Sequence, residues 1–224
     1  MEGLSTIAVL GGTGDLGSAL VKRWAAAGYP IVVGSRAKEK AEAAAEAMKA
    51  ETGSAAITGE DNFAAARIAD IVVIAVPYSN HEAILNEIKS AVSGKVIVDA
   101  VVPLVPPKVS VVQLPPDGSA AQSAQRLVGD VARVVSAFHN VAAAKLHAGG
   151  TVDCDVLVCG DDKAARETVI ELANAAGTRG IDGGALANSV AAEALTSVLI
   201  GINRRYKVDG AGIRITGIPT AQPR

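Results

Sequence analysis

Aromatic residues are scarce in this chain. Phe, Trp and Tyr make up 3% of its 224 residues, so Ala, Val, Ile and Leu must fill the core. Charge is also modest, at 20% of residues and a formal net of −2. That balance argues against nucleic acid as the main partner. Only two cysteines are present, Cys154 and Cys159 in "CDVLVC". Five residues apart on a strand, they point to opposite faces and cannot pair with each other. With no His nearby they do not form a zinc signature. They read as reduced, partly buried thiols, the usage expected of a cytoplasmic protein. No signal-peptide pattern precedes the first apolar run. The apolar run at 190–202 is broken by Glu193 and is too short to span a bilayer, so no membrane partner is expected. No metal-ligand cluster, Ser/His/Asp arrangement or nucleophilic cysteine stands out.

Half of the residues are apolar, a soluble globular composition. The length suits one domain, or a large domain with a small one. Apolar strands alternate with helical stretches through the first two-thirds. "TIAVLGG" (6–12), "PIVVG" (30–34), "AAIT" (55–58), "DIVVIAVP" (70–77), "KVIVDAVVP" (95–103) and "VARVVSAF" (131–138) read as strands. Helices are expected at 15–27, 36–53, 61–67, 80–92 and 119–128. A proline cluster (Pro103, Pro106, Pro107, Pro115, Pro116) reads as a stiff loop. Beyond it come a strand at 154–160, a helix at 162–177, a short strand at 178–184 and the longest helix at 185–206. The pattern implies an α/β fold, a doubly wound parallel sheet of Rossmann type. Residues 1–140 would form the nucleotide-binding domain. Residues 141–224 would form a smaller α/β part packed on it.

"GGTGDLG" (11–17) holds G-x-G-x-x-G as Gly12, Gly14 and Gly17. The first glycine makes the tight turn, the second lets a pyrophosphate approach, and the third seats the helix on the strand. The helix N-terminus then offers N–H groups to the phosphates, with Thr13 as a further donor. The next strand ends "IVVGSR" (31–36). A carboxylate there would hold the ribose hydroxyls of NAD and repel a 2′-phosphate. Ser35 and Arg36 do the reverse, and Lys40 adds a second cation one turn on. The pair selects NADP(H). Val76, Pro77, Tyr78 and Val102 end the fourth and fifth strands, where ligands lie in open α/β sheets. Each is a candidate cofactor contact, with core packing as the competing reading.

The quoted motifs, with "ITG" (57–59), "VVSAFHNVAA" (134–143), "DVLVCGDD" (155–162) and "EALTSVLIGIN" (193–203), resemble the NADPH-dependent reductases of coenzyme F420, a deazaflavin. The likeness runs from about residue 6 to about residue 218. It implies hydride exchange between NADP(H) and the deazaflavin by a small enzyme, usually a homodimer. It implies that Thr13, Gly14, Asp15 and Leu16 hold the pyrophosphate, and that Ser35, Arg36 and Lys40 hold the 2′-phosphate. His139 and Thr196 match positions near the paired rings, and Ala143 a nicotinamide-side contact. Asp15 stands where Asn is common in the family, and its carboxylate would instead cap the helix.

Carbon-to-carbon hydride transfer needs stacked rings and excluded water more than an acid–base pair. His139 would steady the reduced ring, or tie down a strand end. Thr196 would face the rings, or bond back to its own helix. His81 and His147 read as surface or capping residues. Asn188 and Ser189 would open the last helix with polar groups free to face a ligand. Residues 185–224 carry Arg204, Arg205, Lys207, Arg214 and Arg224 against Glu193 and Asp209. Of these, Arg204, Arg205 or Arg214 would meet the acidic deazaflavin tail. Two other readings stay open: a reductase of a flavin, metal chelate or imine, and a non-catalytic NADP sensor.

Overall fold

The structure is a computed structural model and describes residues 4–218. Six parallel strands form most of one sheet. They are β1 (Ile7–Leu10), β2 (Ile31–Ser35), β3 (Ile57–Asp61), β4 (Ile71–Ile74), β5 (Val96–Asp99) and β6 (Arg133–Ser136). Two more strands, β7 (Asp155–Gly160) and β8 (Arg179–Gly184), complete it. The order is β3-β2-β1-β4-β5-β6-β7-β8. Only the β6–β7 pairing is antiparallel. Residues 155–184 therefore extend the sheet by two strands instead of packing on it as a separate piece.

Helices cover both faces: α1 (Asp15–Ala26), α2 (Lys38–Thr52), α3 (Asn62–Ile68), α4 (His81–Ile88), α5 (Ala120–Val128), α6 (Ala143–His147), α7 (Lys163–Ala175) and α8 (Ser189–Tyr206). The period-two alternation of buried strands explains the layering. Ile7 and Val9 enter one core with α1, α2 and α7, while Ala8 and Leu10 enter the other with α3, α4 and α5. The first core joins the two ends of the chain. Trp24 stacks edge-on against Phe138 at 5.6 Å, and its indole N–H donates to the Leu172 carbonyl at 2.8 Å. Each is fully or nearly fully buried. Two of the six aromatic residues thus meet in this core.

Strand order reverses between β1 and β4, since β2 lies on one side of β1 and β4 on the other. The crevice at their carboxyl ends is where ligands bind in such sheets. The proline cluster lies between β5 and α5. It has no helix or strand of its own, as expected for residues that cannot donate to a ladder.

Candidate active site

The turn from β1 to α1 is built by close backbone approach. A Cβ on Gly17 would lie 2.3 Å from the Gly11 carbonyl oxygen, and one on Gly12 2.9 Å from the Val9 oxygen. Gly14 differs. A Cβ there would meet only the Gly11 oxygen, at 3.3 Å, and its φ of −84° suits any residue. Its torsion does not demand glycine, and the one close contact a side chain would make is with the Gly11 backbone oxygen. Gly14 is the N-cap of α1 and no side chain caps it, so the first-turn N–H groups are open to an anion. Asp15 begins the helix with its carboxylate exposed and makes no capping bond. The capping role expected of it is corrected. Its carbonyl instead meets the ring of His147 at 3.1 Å.

A cleft of about 290 Å³ opens in front of this loop, lined by Gly11, Thr13, Gly14, Ser35, Arg36, Val76 and Pro77, among others. Arg36 sits in the bend before α2, which starts two residues later, at Lys38. Arg36 and Lys40 are exposed, and neither has an ion-pair partner among the described residues. Lys38, between them, is held by Glu60 at 2.9 Å. Two unpaired cations thus flank a neutralised one at the end of β2. Sequence reasoning missed the far wall of the cleft, made by Asn62, Asn80, Ala83, Ile84 and Glu87. Asn62 is buried with its Oδ1 unpartnered, a group left for a ligand or water to satisfy.

A second cleft, about 470 Å³, continues past Val76 and Pro77. Leu16, Tyr78, Val102, Leu104, Pro106 and Val109 line it. Its walls come from the glycine loop, the end of β4 and the proline-rich segment. It is apolar and shares Ala75, Val76 and Pro77 with the first cleft. Leu16, Val76, Pro77, Tyr78 and Val102, all singled out from the sequence, meet here. Gly12, Asp15, Gly17, Lys40, Ala143, His139 and Thr196 line neither cleft.

His139 and Thr196 are nonetheless brought together. The Thr196 hydroxyl donates to the His139 carbonyl at 2.8 Å, not to its own helix. The His139 ring is buried beside the backbone of Asp99 and Val101, next to Val102 of the second cleft. Neither ring nitrogen makes a hydrogen bond. Burial pushes the imidazole down to about 4, against the opposing pull of the Asp99 charge and of the Asp99 and Val101 backbone, so it is neutral.

Behind this wall lie three ionisable side chains that the sequence reading did not bring together. His81, expected at the surface, is 3% exposed because the first turn of α4 folds back against the end of β5. Its Nε2 lies 2.6 Å from Asp99 Oδ2. Burial lowers its pKa, but the Asp99 charge and hydrogen bond, with Glu193, outweigh that and hold it above the ordinary value. Glu193 is 1% exposed, and its carboxylate accepts from the N–H groups of Ala120 at 2.6 Å and Ala121 at 3.1 Å. Burial raises its carboxyl to about 8, against the pull of those two N–H groups. A signal was present in the sequence. Asp99 and Glu193 are lone carboxylates inside apolar runs, and such residues are buried only when paired or bonded.

Other expectations are corrected. Ser189 is buried with its hydroxyl on Ser119 Oγ at 2.7 Å, and Asn188 donates to the Gly183 carbonyl. Ser189 is not free for a ligand, and the Asn188 amide nitrogen is engaged within the chain. Arg214 is held by Asp153, at 2.5 Å, and lies near Asp155. Arg204 reaches Ser110 at 3.4 Å, Arg205 is exposed, and Arg224 lies outside the described residues.

Residues 6–103 match a family profile described as "NADP oxidoreductase coenzyme F420-dependent". The chain is 43% identical to the F420-dependent NADP reductase of Methanocaldococcus jannaschii, over 95% of this chain and 98% of that protein. It is 41% identical to the F420-dependent NADP reductase of Methanothermobacter marburgensis, over 95% and 99%. A crystal structure from Arthrobacter sp. FB24 superposes with a TM-score of 0.78 at 24% identity, covering 96% of this chain and 100% of that one. The fold is shared with it. The chain belongs to the F420-dependent NADP reductase family.

Proposed function

We propose that the protein transfers hydride between NADP(H) and coenzyme F420, using the two joined clefts. The observation that carries the reading is the unpartnered Arg36 lining a cleft whose glycine turn is uncapped at Gly14, with a second unpartnered cation, Lys40, four residues on in α2. Gly12, Thr13, Gly14, Asp15, Leu16 and Gly17 form the pyrophosphate turn. Ser35, Arg36 and Lys40 hold the 2′-phosphate. Val76, Pro77, Tyr78 and Val102 face the nicotinamide half, with Ala143 at the start of α6 nearby in role. When both are bound, the deazaflavin ring accepts a hydride directly from the nicotinamide ring, carbon to carbon. The chain contributes position and dryness: apolar side chains that exclude water and fix the distance. His139, buried beside Val101, backs the wall of the ring cleft from behind Val102, and Thr196 fixes the His139 backbone. Residues 1–140 bind NADP, and residues 141–224 complete the deazaflavin side. Arg205 is the free cation best suited to an acidic tail.

Mixing the protein with NADPH and either the deazaflavin or a flavin tests the reading. The expected result is bleaching of the deazaflavin alone, with a KM that rises with salt. Reduction of a flavin or imine instead, or tight NADPH binding with no acceptor bleached, would favour the other readings.

A homodimer accounts for the exposed apolar residues on one side. By length and composition Leu186–Tyr206 could cross a membrane, but one-third of that span is buried in this fold and Glu193 anchors it. Ser110 lies against α8 at Gly201 and Arg204. Exposed Val111, Val112 and Leu114 follow Ser110 in the chain, and exposed Val198 lies one turn before Gly201 on that helix; exposed apolar residues of this kind mark an interface. Light scattering is expected to give twice the chain mass of 22.5 kDa. The chain mass itself would exclude the dimer.

A further inference from the structure

We propose that Glu193 is a positioning residue for the ring cleft: with Asp99, it fixes the two ends of the proline-rich segment 101–119 that forms the cleft's outer wall. The inference rests on the reading of that cleft as the ring site.

The segment needs such anchors. A connection of this length without helix or strand is uncommon in a compact domain. Its own hydrogen bonds are local: Leu104 to Val102, Val111 to Lys108, the Gln113 amide to the Val105 carbonyl, and Gly118 to Pro115. Among the described residues its middle is tied to the body by hydrogen bond only at Ser110, by Arg204 at 3.4 Å. Such bonds shape the segment without placing it. Placement comes from its ends. At the entry, the Val101 N–H donates to Asp99 Oδ1 at 3.0 Å, and the other Asp99 oxygen is held by His81. At the exit, Asp117 is held by Arg126 and Ser123 of α5, and the start of that helix is in turn fixed by Glu193, which takes the N–H groups of Ala120 and Ala121, while Ser189 holds Ser119. Both anchors are buried acidic side chains, where a lost hydrogen-bond partner costs most. Between them, Val102, Leu104, Pro106 and Val109 face the cleft.

Glu193 also places the helix that carries Thr196, three residues on. The cleft wall and the Thr196–His139 bond thus share one support. The groups that face its carboxylate are His81 and Asp99, with Tyr78 and Cys159 farther off. No cation bonds it directly; its partners are the two N–H groups at the start of α5.

The test uses Glu193→Gln and Glu193→Ala in the full chain. Gln keeps the shape and accepts from one N–H; Ala accepts from neither. Two readouts are taken. The first is amide hydrogen exchange without any ligand. Exchange at 101–119 is expected to rise about tenfold in Glu193→Gln and further in Glu193→Ala, with the glycine turn at 11–17 unchanged. The second is steady-state kinetics. The KM for deazaflavin is expected to rise about tenfold, while the KM for NADPH and kcat stay within about twofold. If Glu193→Ala does not fold, Glu193→Gln decides alone. Unchanged exchange at 101–119 overturns the proposal, as does an equal rise in both KM values. Faster exchange with an unchanged deazaflavin KM overturns the placement of the rings in this cleft, and with it the positioning role, while leaving the anchor as a structural fact.

Discussion

Replacing Arg36 and Lys40 together by alanine is expected to raise the KM for NADPH by about 10²- to 10³-fold, with the KM for NADH within about threefold and kcat little changed. A charge-assisted hydrogen bond contributes about 1.5–3 kcal/mol, and each 1.4 kcal/mol is about tenfold in affinity. Both cations are exposed, so solvent screening favours the lower half of that range. Lys38→Ala provides the internal control. Its ammonium is already engaged by Glu60, and its loss is expected to change the KM for NADPH less than about threefold. The measurement is steady-state kinetics with each nucleotide at saturating acceptor. Equal losses for NADPH and NADH would mean that the two cations do not read the 2′-phosphate.

Stability is expected to fall by about 2 kcal/mol between pH 6.5 and 8, which lowers Tm by about 4–8 °C for a chain of this size. The sign follows from proton linkage. Glu193 has a carboxyl raised from 4.5 to about 8 in the folded protein, so the folded state binds the proton that the unfolded state has lost. Its contribution is full below about pH 4.5 and disappears as pH rises through 8. One proton over that 1.5-unit interval corresponds to about 2 kcal/mol. His81, also raised, acts in the same direction, with its contribution full below 6.5 and lost above. His139 acts oppositely. Held down to about 4, it contributes stability above 6.5 that is lost as pH falls toward 4. Thermal melts across this range should therefore slope downward on the alkaline side, and Glu193→Gln should remove most of the slope. A Gln variant that keeps the full slope would show that the titrating group is another.

The sheet and the nucleotide turn were legible because their signals are local. Strands of four to six apolar residues, glycines at fixed offsets and a basic residue after β2 each declare themselves within a few positions. The strand pattern also placed Val76 and Val102 at carboxyl ends, where the structure lines a cleft with them. The buried network was not legible in the same way. His81 and Asp99 are 18 residues apart, and Glu193 meets Ala120 across 73. Their meeting depends on β4 and β5 being parallel neighbours and on α8 returning over α5, which local spacing does not encode. His81 follows a turn and resembles a surface residue; only the packing of the first turn of α4 buries it. The continuation of the sheet into β7 was missed for a similar reason. An antiparallel join after a long run of parallel strands rests on two residue pairs, Val135 with Gly160 and Ser136 with Cys159. No sequence period announces it.

The Gly14 turn, the Arg36–Lys40 pair and the apolar second cleft together make one claim: the two rings meet face to face, and hydride passes directly between them. The most direct measurement uses NADPH carrying deuterium at the transferable C4 position, with the deazaflavin as acceptor in ordinary water. The account predicts that the label is recovered on carbon in the reduced deazaflavin, with none released to solvent. Deuterium in the water, or NADPH consumed with the deazaflavin still oxidised, would contradict it.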